Sequence, residues 1–113
     1  MSRADGRKPT IHAIKLHEAL CRKGVNAILE YPDGYKHVDI AIPDVKLYIE
    51  VDGLDHFTEP DRIISDFKRQ HYSGIDGFST FFVTNQIIET HLDEVVPGLF
   101  EVVRRLMQKS NLY

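Results

Sequence analysis

Acidic side chains and two histidines are concentrated between His37 and His56, in the segment HVDIAIPDVKLYIEVDGLDH. Carboxylate oxygens are the ligands that hard divalent cations prefer, and a histidine can give or take a proton near neutral pH. Asp39, Glu50 and Asp52 alternate with aliphatic residues, which is the pattern of strands rather than of a helix. This spacing indicates a metal-dependent reaction centre on a β-hairpin.

The same alternation predicts which face of the sheet each side chain occupies. The aliphatic sets are Val38, Ile40 and Ile42 on the first arm and Leu47, Ile49 and Val51 on the second. We expect these sets on one face, and Asp39, Glu50 and Asp52 on the other. Like charges at cross-strand distance repel, which a protein tolerates when a cation lies between them. The alternative is a solvent-facing side of the sheet with ordinary surface charges.

The chain has 113 residues and a single cysteine, Cys21. This length suits one domain with its own core, expected over residues 10–113, preceded by a flexible basic tail over residues 1–9. A lone cysteine excludes an intramolecular disulfide and a cysteine-rich zinc site. The N-terminus has no apolar signal-like stretch, and no segment reaches membrane-spanning length, so a cytoplasmic protein without a membrane partner is the expectation.

The net charge of −3 and the sequence pI of about 6.0 disfavour a nucleic-acid-binding protein only weakly. Basic residues outnumber acids over residues 1–24, whereas acids are concentrated in the hairpin and beyond it. A bound cation would offset part of this central negative charge. The total charge therefore leaves nucleic acid open as a partner.

The predicted order of elements is α-β-β-β-α-β-α. Helices are expected from Thr10 to about Lys23, over residues 58–72, and from Thr90 onward with a bend at Pro97. Strands are expected over residues 26–31, 35–42, 46–52 and 78–84. A helix between the third and fourth strands favours a right-handed parallel crossover. The expected fold is α/β, with a mixed four-stranded sheet flanked by helices.

This order resembles the αβββαβ core of the PD-(D/E)XK nucleases, the restriction-endonuclease-like fold, here with an extra C-terminal helix. The segment KLYIEVDGLDHF is similar to the IEVDG-x-x-H segment of very-short-patch-repair-like endonucleases. Relatives of that branch include phage homing endonucleases that share a Glu, Asp, His, Asp set. Glu18 in LHEAL and Asp66 in SDFKR match further acids of these relatives, and FFVTNQII resembles their closing strand followed by asparagine.

Two positions depart from the name-giving pattern of the superfamily. His37 and Val38 precede Asp39 where that pattern has proline, and Asp52 replaces the lysine that orients the attacking water in many members. An acid at the second position is usual in the short-patch-like branch. The resemblance covers about residues 10–90 and implies that the basic role moves to His56.

The resemblance implies a Mg²⁺- or Mn²⁺-dependent endonuclease that hydrolyses phosphodiester bonds in DNA. The implied catalytic residues are Glu18, Asp39, Glu50, Asp52, His56 and Asp66. The implied metal ligands are Asp39, Glu50, Asp52 and the carbonyl of Val51. The residues expected to contact phosphates are Lys15, Lys68 and Arg69.

Several of these residues have a structural alternative. Glu18 has the spacing of helix-surface ion pairs with Lys15 and Arg22, and Asp66 has the same spacing to Arg62 and Arg69. A loop histidine at the end of a strand is the alternative for His56. His17 and His71 fall on apolar helix faces, so we expect packed core histidines at both positions.

The alternative function is a domain of this fold that binds nucleic acid or protein without cutting it. No reading module accompanies the hairpin, so sequence specificity would require a partner chain, a targeting domain or a homodimer, and the apolar stripe of the last helix offers a surface for dimerisation. The sequence leaves open DNA against RNA, nicking against double-strand cleavage, and repair, mobile-element or defence roles.

Overall fold

The structure, a computed structural model, describes residues 9–52 and 77–111. Four strands form one sheet in the order β1 (Ile28–Pro32), β2 (His37–Ile42), β3 (Leu47–Asp52) and β4 (Ser79–Thr84). β1, β2 and β3 pair antiparallel, and β3 pairs parallel with β4. The mixed four-stranded sheet is thus confirmed. The helix expected over residues 58–72 lies outside the described residues.

Helix α1 (Ile11–Arg22) begins where the sequence predicted it. Thr10 is its N-cap, and its Oγ1 accepts a hydrogen bond from Ala13 N at 3.1 Å. This bond satisfies one of the amide groups that have no partner within the helix. The helix ends with Arg22 in its last turn, where a positive charge is favourable.

Helix α2 (Asn85–Asn111) begins five residues before the predicted start at Thr90. Its backbone is interrupted at His91 (φ −135°, ψ 30°), so Thr90 marks the junction of two helical segments rather than the start of the helix. The Thr90 hydroxyl donates to Gln86 O at 2.8 Å, which is the kind of local bond that competes with regular helix geometry. This break lies six residues before Pro97, where the sequence predicts a bend.

Both described helices pack on the same face of the sheet. The main core contains Leu16 and Leu20 of α1, Ile88 and Leu99 of α2, and the inward residues of the strands. The inward strand residues that belong to this core are Ile40, Ile42, Leu47, Ile49, Val51 and Val83. This arrangement confirms the aliphatic face of the hairpin at every predicted position except one.

Val38 is the exception. It packs with Ala41 and Tyr48 in a second, smaller cluster on the other side of the sheet, where the rings of Tyr48 and Phe78 stack at 4.2 Å between centroids. The prediction that Val38 shares a face with Ile40 was therefore wrong. The reason is a reversal of the side-chain alternation next to Val38.

The solvent face of α2 carries a compact ion-pair group. Glu101 accepts hydrogen bonds from Arg104 at 2.6 Å and from Arg105 at 2.8 Å. These bonds, with Arg104 contributing most, lower the pKa of the Glu101 carboxyl to about 2. In the described parts of the chain, none of the helices is long and apolar enough to cross a membrane.

Candidate active site

The β2–β3 hairpin opens at the end away from its turn. Pairing between the two strands runs from Ile42–Leu47 to Ile40–Ile49, whereas β3 continues beside β4 as far as Asp52–Thr84. Among the described strands, β3 therefore has a partner on only one side beyond Ile49. Backbone groups on the open side require another source of hydrogen bonds.

Asp39 supplies that hydrogen bond. Its Oδ2 accepts from the backbone N–H of Val51 at 2.7 Å, a short distance of the kind expected when the acceptor is charged. The carboxylate is therefore directed along the sheet into the gap between β2 and β3. Asp39 is half-buried, and its second oxygen, Oδ1, makes no hydrogen bond to any other described residue.

Glu50 and Asp52 flank Val51 on β3. Their side chains are only 4% and 7% exposed, and they are the charged residues buried within the described ranges. Burial of a carboxylate is unfavourable unless it is paired, hydrogen-bonded or bound to a cation. By strand alternation, both point to the side opposite the main core. The structure thus brings Asp39 into contact with Val51 N–H and places Glu50 and Asp52 on either side of Val51 along β3.

The end of β4 lies beside these acids. Thr84 is the register partner of Asp52, and its Oγ1 accepts from Ile87 N at 3.2 Å, which caps α2. Asn85 follows, and its side-chain oxygen is buried with no hydrogen-bond donor from the described residues. A buried polar atom without a partner calls for a bound water, ion or ligand. Asn85 is therefore an additional candidate that the predicted set did not include.

No three His, Cys, Asp or Glu side chains within residues 9–52 and 77–111 are close enough to hold a metal ion together. Mg²⁺ does not require such a cage, because it commonly binds one or two carboxylates and keeps several waters. The candidate oxygens include the Asp39 carboxylate beside Val51 and the Asn85 carboxamide after the end of β4. This chemistry suits a hard cation and does not suit zinc, which prefers nitrogen and sulfur.

The two predicted residues of α1 are exposed. Glu18 forms no hydrogen bond or ion pair within the described part of the chain, so the alternative of surface pairs with Lys15 and Arg22 is not what the structure shows. Lys15 acts through its charge on Glu89 of α2, whose pKa is lowered chiefly by a hydrogen bond from His12. Both Glu18 and Lys15 are accessible to a substrate.

Four predicted site residues lie outside the described residues, namely His56, Asp66, Lys68 and Arg69. His71 also lies outside the described residues, whereas His17 is half-buried and its Nε2 lies 2.9 Å from Ala27 O, as a packed structural histidine would.

The described sheet and helices form an α/β fold that also occurs in a solved nuclease structure. One similar solved structure is the catalytic domain of the homing endonuclease I-Bth0305I, with a TM-score of 0.71 and 14% sequence identity. The match covers 87% of this chain and 98% of that domain. No protein-family model matches the chain, and no curated protein matches its sequence. Membership of the PD-(D/E)XK superfamily and of its short-patch-like branch remains a prediction.

Proposed function

We propose that this chain is a metal-dependent endonuclease that hydrolyses phosphodiester bonds in DNA. The observation that carries the proposal is the Asp39 carboxylate, bonded to Val51 N–H at the open end of the hairpin, between the buried acids Glu50 and Asp52. The likeness in fold to a homing endonuclease catalytic domain adds support of a different kind.

We assign Asp39 as the central ligand of the cation, with Glu50 and the carbonyl oxygen of Val51 beside it. Asp52 would bind a second ion or hold the attacking water. When bound, Mg²⁺ or Mn²⁺ would lower the pKa of a water nucleophile and neutralise charge on the scissile phosphate. The hydrogen bond from Val51 N–H fixes one oxygen of Asp39 and leaves the other available. Orientation of a ligand by a second contact of this kind strengthens a metal site.

The proton-transfer and positioning roles fall to other residues of the proposed site. His56 is assigned as general acid or base because its ordinary pKa is near neutrality. Glu18 and Asp66 complete the proposed catalytic set. The positive charges of Lys15, Lys68 and Arg69 would hold phosphates on either side of the cleavage point, which fixes the register of the substrate.

A non-catalytic domain that binds nucleic acid or a protein partner is the second candidate. The net charge of −3 favours its protein-binding form, since non-specific affinity for DNA depends on lysine and arginine contacts. It predicts binding that a divalent cation can strengthen, without any change in the length of the nucleic acid.

The deciding experiment measures cleavage of supercoiled plasmid and of labelled single-stranded DNA in Mg²⁺ or Mn²⁺. Asp39→Ala removes the proposed ligand and should reduce cleavage by on the order of a thousandfold, because several kcal/mol of transition-state stabilisation are lost. The matched control is Asp44→Ala, which removes an exposed acid from the turn at the other end of the same hairpin.

Retention of cleavage in Asp44→Ala and its loss in Asp39→Ala would establish the nuclease and its site. Equal cleavage by both variants would rule out Asp39 as a ligand. If the wild-type protein shifts the DNA in a metal-dependent way but cuts none of the substrates, the binding function replaces the enzymatic one.

A further inference from the structure

Strand β1 contains a residue whose backbone is unusual for a strand. Glu30 has φ +54°, in the left-handed region, although it is neither glycine nor part of a turn. Side chains other than glycine, asparagine and aspartate rarely adopt this region because Cβ approaches the following carbonyl oxygen. Strain of this kind persists where the surrounding structure imposes it, and it is frequent at functional sites.

The side-chain alternation reverses on both sides of this residue. Leu29 packs against the main core, and Tyr31 packs against the second cluster, although residues two apart on a strand normally share a face. On β2, Ile40 and Val38 are divided between the two clusters in the same way. The reversal therefore affects two neighbouring strands.

The two reversals lie opposite each other in the sheet. The register pairs Leu29 with Ile40 and Tyr31 with Val38, so the position between these pairs is occupied by Glu30 on one strand and Asp39 on the other. The pairing keeps the same register before and after this position. One reversal of the alternation that involves both strands therefore accounts for the left-handed backbone of Glu30 and for the position of Val38 in the second cluster.

We propose that Glu30 is a positioning residue whose left-handed backbone directs the Asp39 carboxylate into the gap between β2 and β3. In a strand of regular alternation, Asp39 would project from the face of the sheet. With the alternation reversed at Asp39, its carboxylate instead lies beside β3 and accepts from Val51 N–H at 2.7 Å. The catalytic use of this geometry rests on the proposed function, whereas the geometry itself does not.

The test uses backbone preference, since this role belongs to the main chain of Glu30 and not to its charge. Glu30→Gly tolerates the left-handed region, and Glu30→Gln removes the charge while its side chain stays close in shape to that of glutamate. Glu30→Val, with its β-branched side chain, opposes positive φ most strongly. Glu30→Thr, which is also β-branched but polar, serves if the valine variant does not fold. Ile28→Val is the matched control at a regular position of the same strand.

The measured quantity is the amide resonance of Val51 in ¹⁵N–¹H spectra, with Asp39→Ala as the reference for loss of its hydrogen bond. Glycine and glutamine at position 30, and the Ile28→Val control, should leave this resonance at its wild-type position. Glu30→Val, or Glu30→Thr in its place, should move it towards the Asp39→Ala position. An unchanged Val51 resonance in the β-branched variant, or an equal change in glycine and valine, would overturn the proposal.

Cleavage assays on the same variants separate this proposal from the proposed function. Where wild type cuts DNA, cleavage per folded molecule should fall in step with the displacement of the Val51 resonance. If the resonance follows backbone preference while wild type cuts no DNA, the positioning role stands and the nuclease assignment fails. Cleavage that follows the charge at position 30, with glycine and glutamine equally inactive, would contradict the positioning role.

Discussion

The two ends of the β2–β3 hairpin satisfy their backbone hydrogen-bonding groups in different ways. At the closed end, a short turn over Pro43–Val45 leads to Lys46, which is left-handed (φ 54°, ψ 52°). Its N–H donates to Pro43 O at 3.1 Å and its carbonyl accepts from Ser79 N at 3.0 Å. At the open end, Val51 N–H is satisfied by the Asp39 carboxylate instead.

The difference lies in which groups carry the hydrogen bonds. Main-chain atoms alone close the turn, and the acid there, Asp44, is exposed to solvent. At the open end a carboxylate is the acceptor, and Glu50 and Asp52 are buried. After the end of the neighbouring strand β4, the buried Asn85 oxygen has no donor among the described residues. Buried carboxylates and a buried oxygen without a donor lower the stability of the fold. A sequence keeps such groups where they bind a ligand.

The largest effect that this comparison predicts comes from Asp39→Asn. The amide oxygen of asparagine can still accept from Val51 N–H, so we expect the free energy of unfolding to change by less than about 1 kcal/mol. Loss of the negative charge should nevertheless reduce metal-dependent cleavage by on the order of a thousandfold. Thermal unfolding and plasmid cleavage, measured on the same preparation, check the two expectations separately.

Asp39→Ala should lose both the hydrogen bond and the charge, so its comparison with Asp39→Asn separates the two roles. The same asparagine substitution at Asp44 should change neither quantity. If Asp39→Asn cuts DNA at the wild-type rate, the carboxylate at the open end is only a replacement for a backbone acceptor, and the two ends of the hairpin differ in structure but not in function.

A smaller effect is expected from Asn85→Leu. The substitution keeps the approximate volume and removes a buried oxygen that no described donor reaches. Leaving such a group unsatisfied costs about 1–3 kcal/mol, so without divalent cations the variant should unfold at a higher temperature than wild type. If Asn85 faces a bound cation, the increase in melting temperature caused by Mg²⁺ should also be smaller in the variant.

Gln86→Leu is the matched control because it adds the same side chain at the next, exposed position of the same helix turn. It should change stability by no more than about 0.5 kcal/mol and leave the Mg²⁺ response intact. A lower melting temperature for Asn85→Leu in the absence of Mg²⁺ would show that the oxygen has a protein partner, and Asn85 would leave the candidate site.

Local patterns in the sequence were sufficient for most of the fold. Period-two alternation located β2 and β3, and a capping threonine located the start of α1. The parallel pairing of β3 with β4 followed from the expected crossover. The start of α2 was missed because Thr84 serves as both the end of a strand and a helix cap, and the apolar stripe becomes regular only after His91.

For the candidate site, the sequence predicts the residue types better than it predicts their geometry. The acids of β2 and β3 were found because their spacing is local. The direction of the Asp39 side chain was not, because the alternation rule assumes a regular backbone and Glu30 violates that assumption on a neighbouring strand. Asn85 was not selected because its significance depends on burial, which a single sequence does not reveal.

The smallest predicted effect concerns the left-handed residue at the closed end. Lys46→Gly removes a steric cost of roughly 1–2 kcal/mol in the folded state but adds about 0.5–1 kcal/mol of backbone entropy to the unfolded chain, so stability should rise by about 1 kcal/mol or less. Because Lys46 serves only the turn, cleavage per folded molecule should stay at the wild-type level. Lys46→Val should lower the melting temperature, again without an effect on cleavage by the folded protein.

A loss of cleavage in either variant, measured at a temperature where the protein is fully folded, would mean that the closed end is coupled to the site. The contrast between a left-handed residue that shapes a turn and one that directs a carboxylate would then no longer hold.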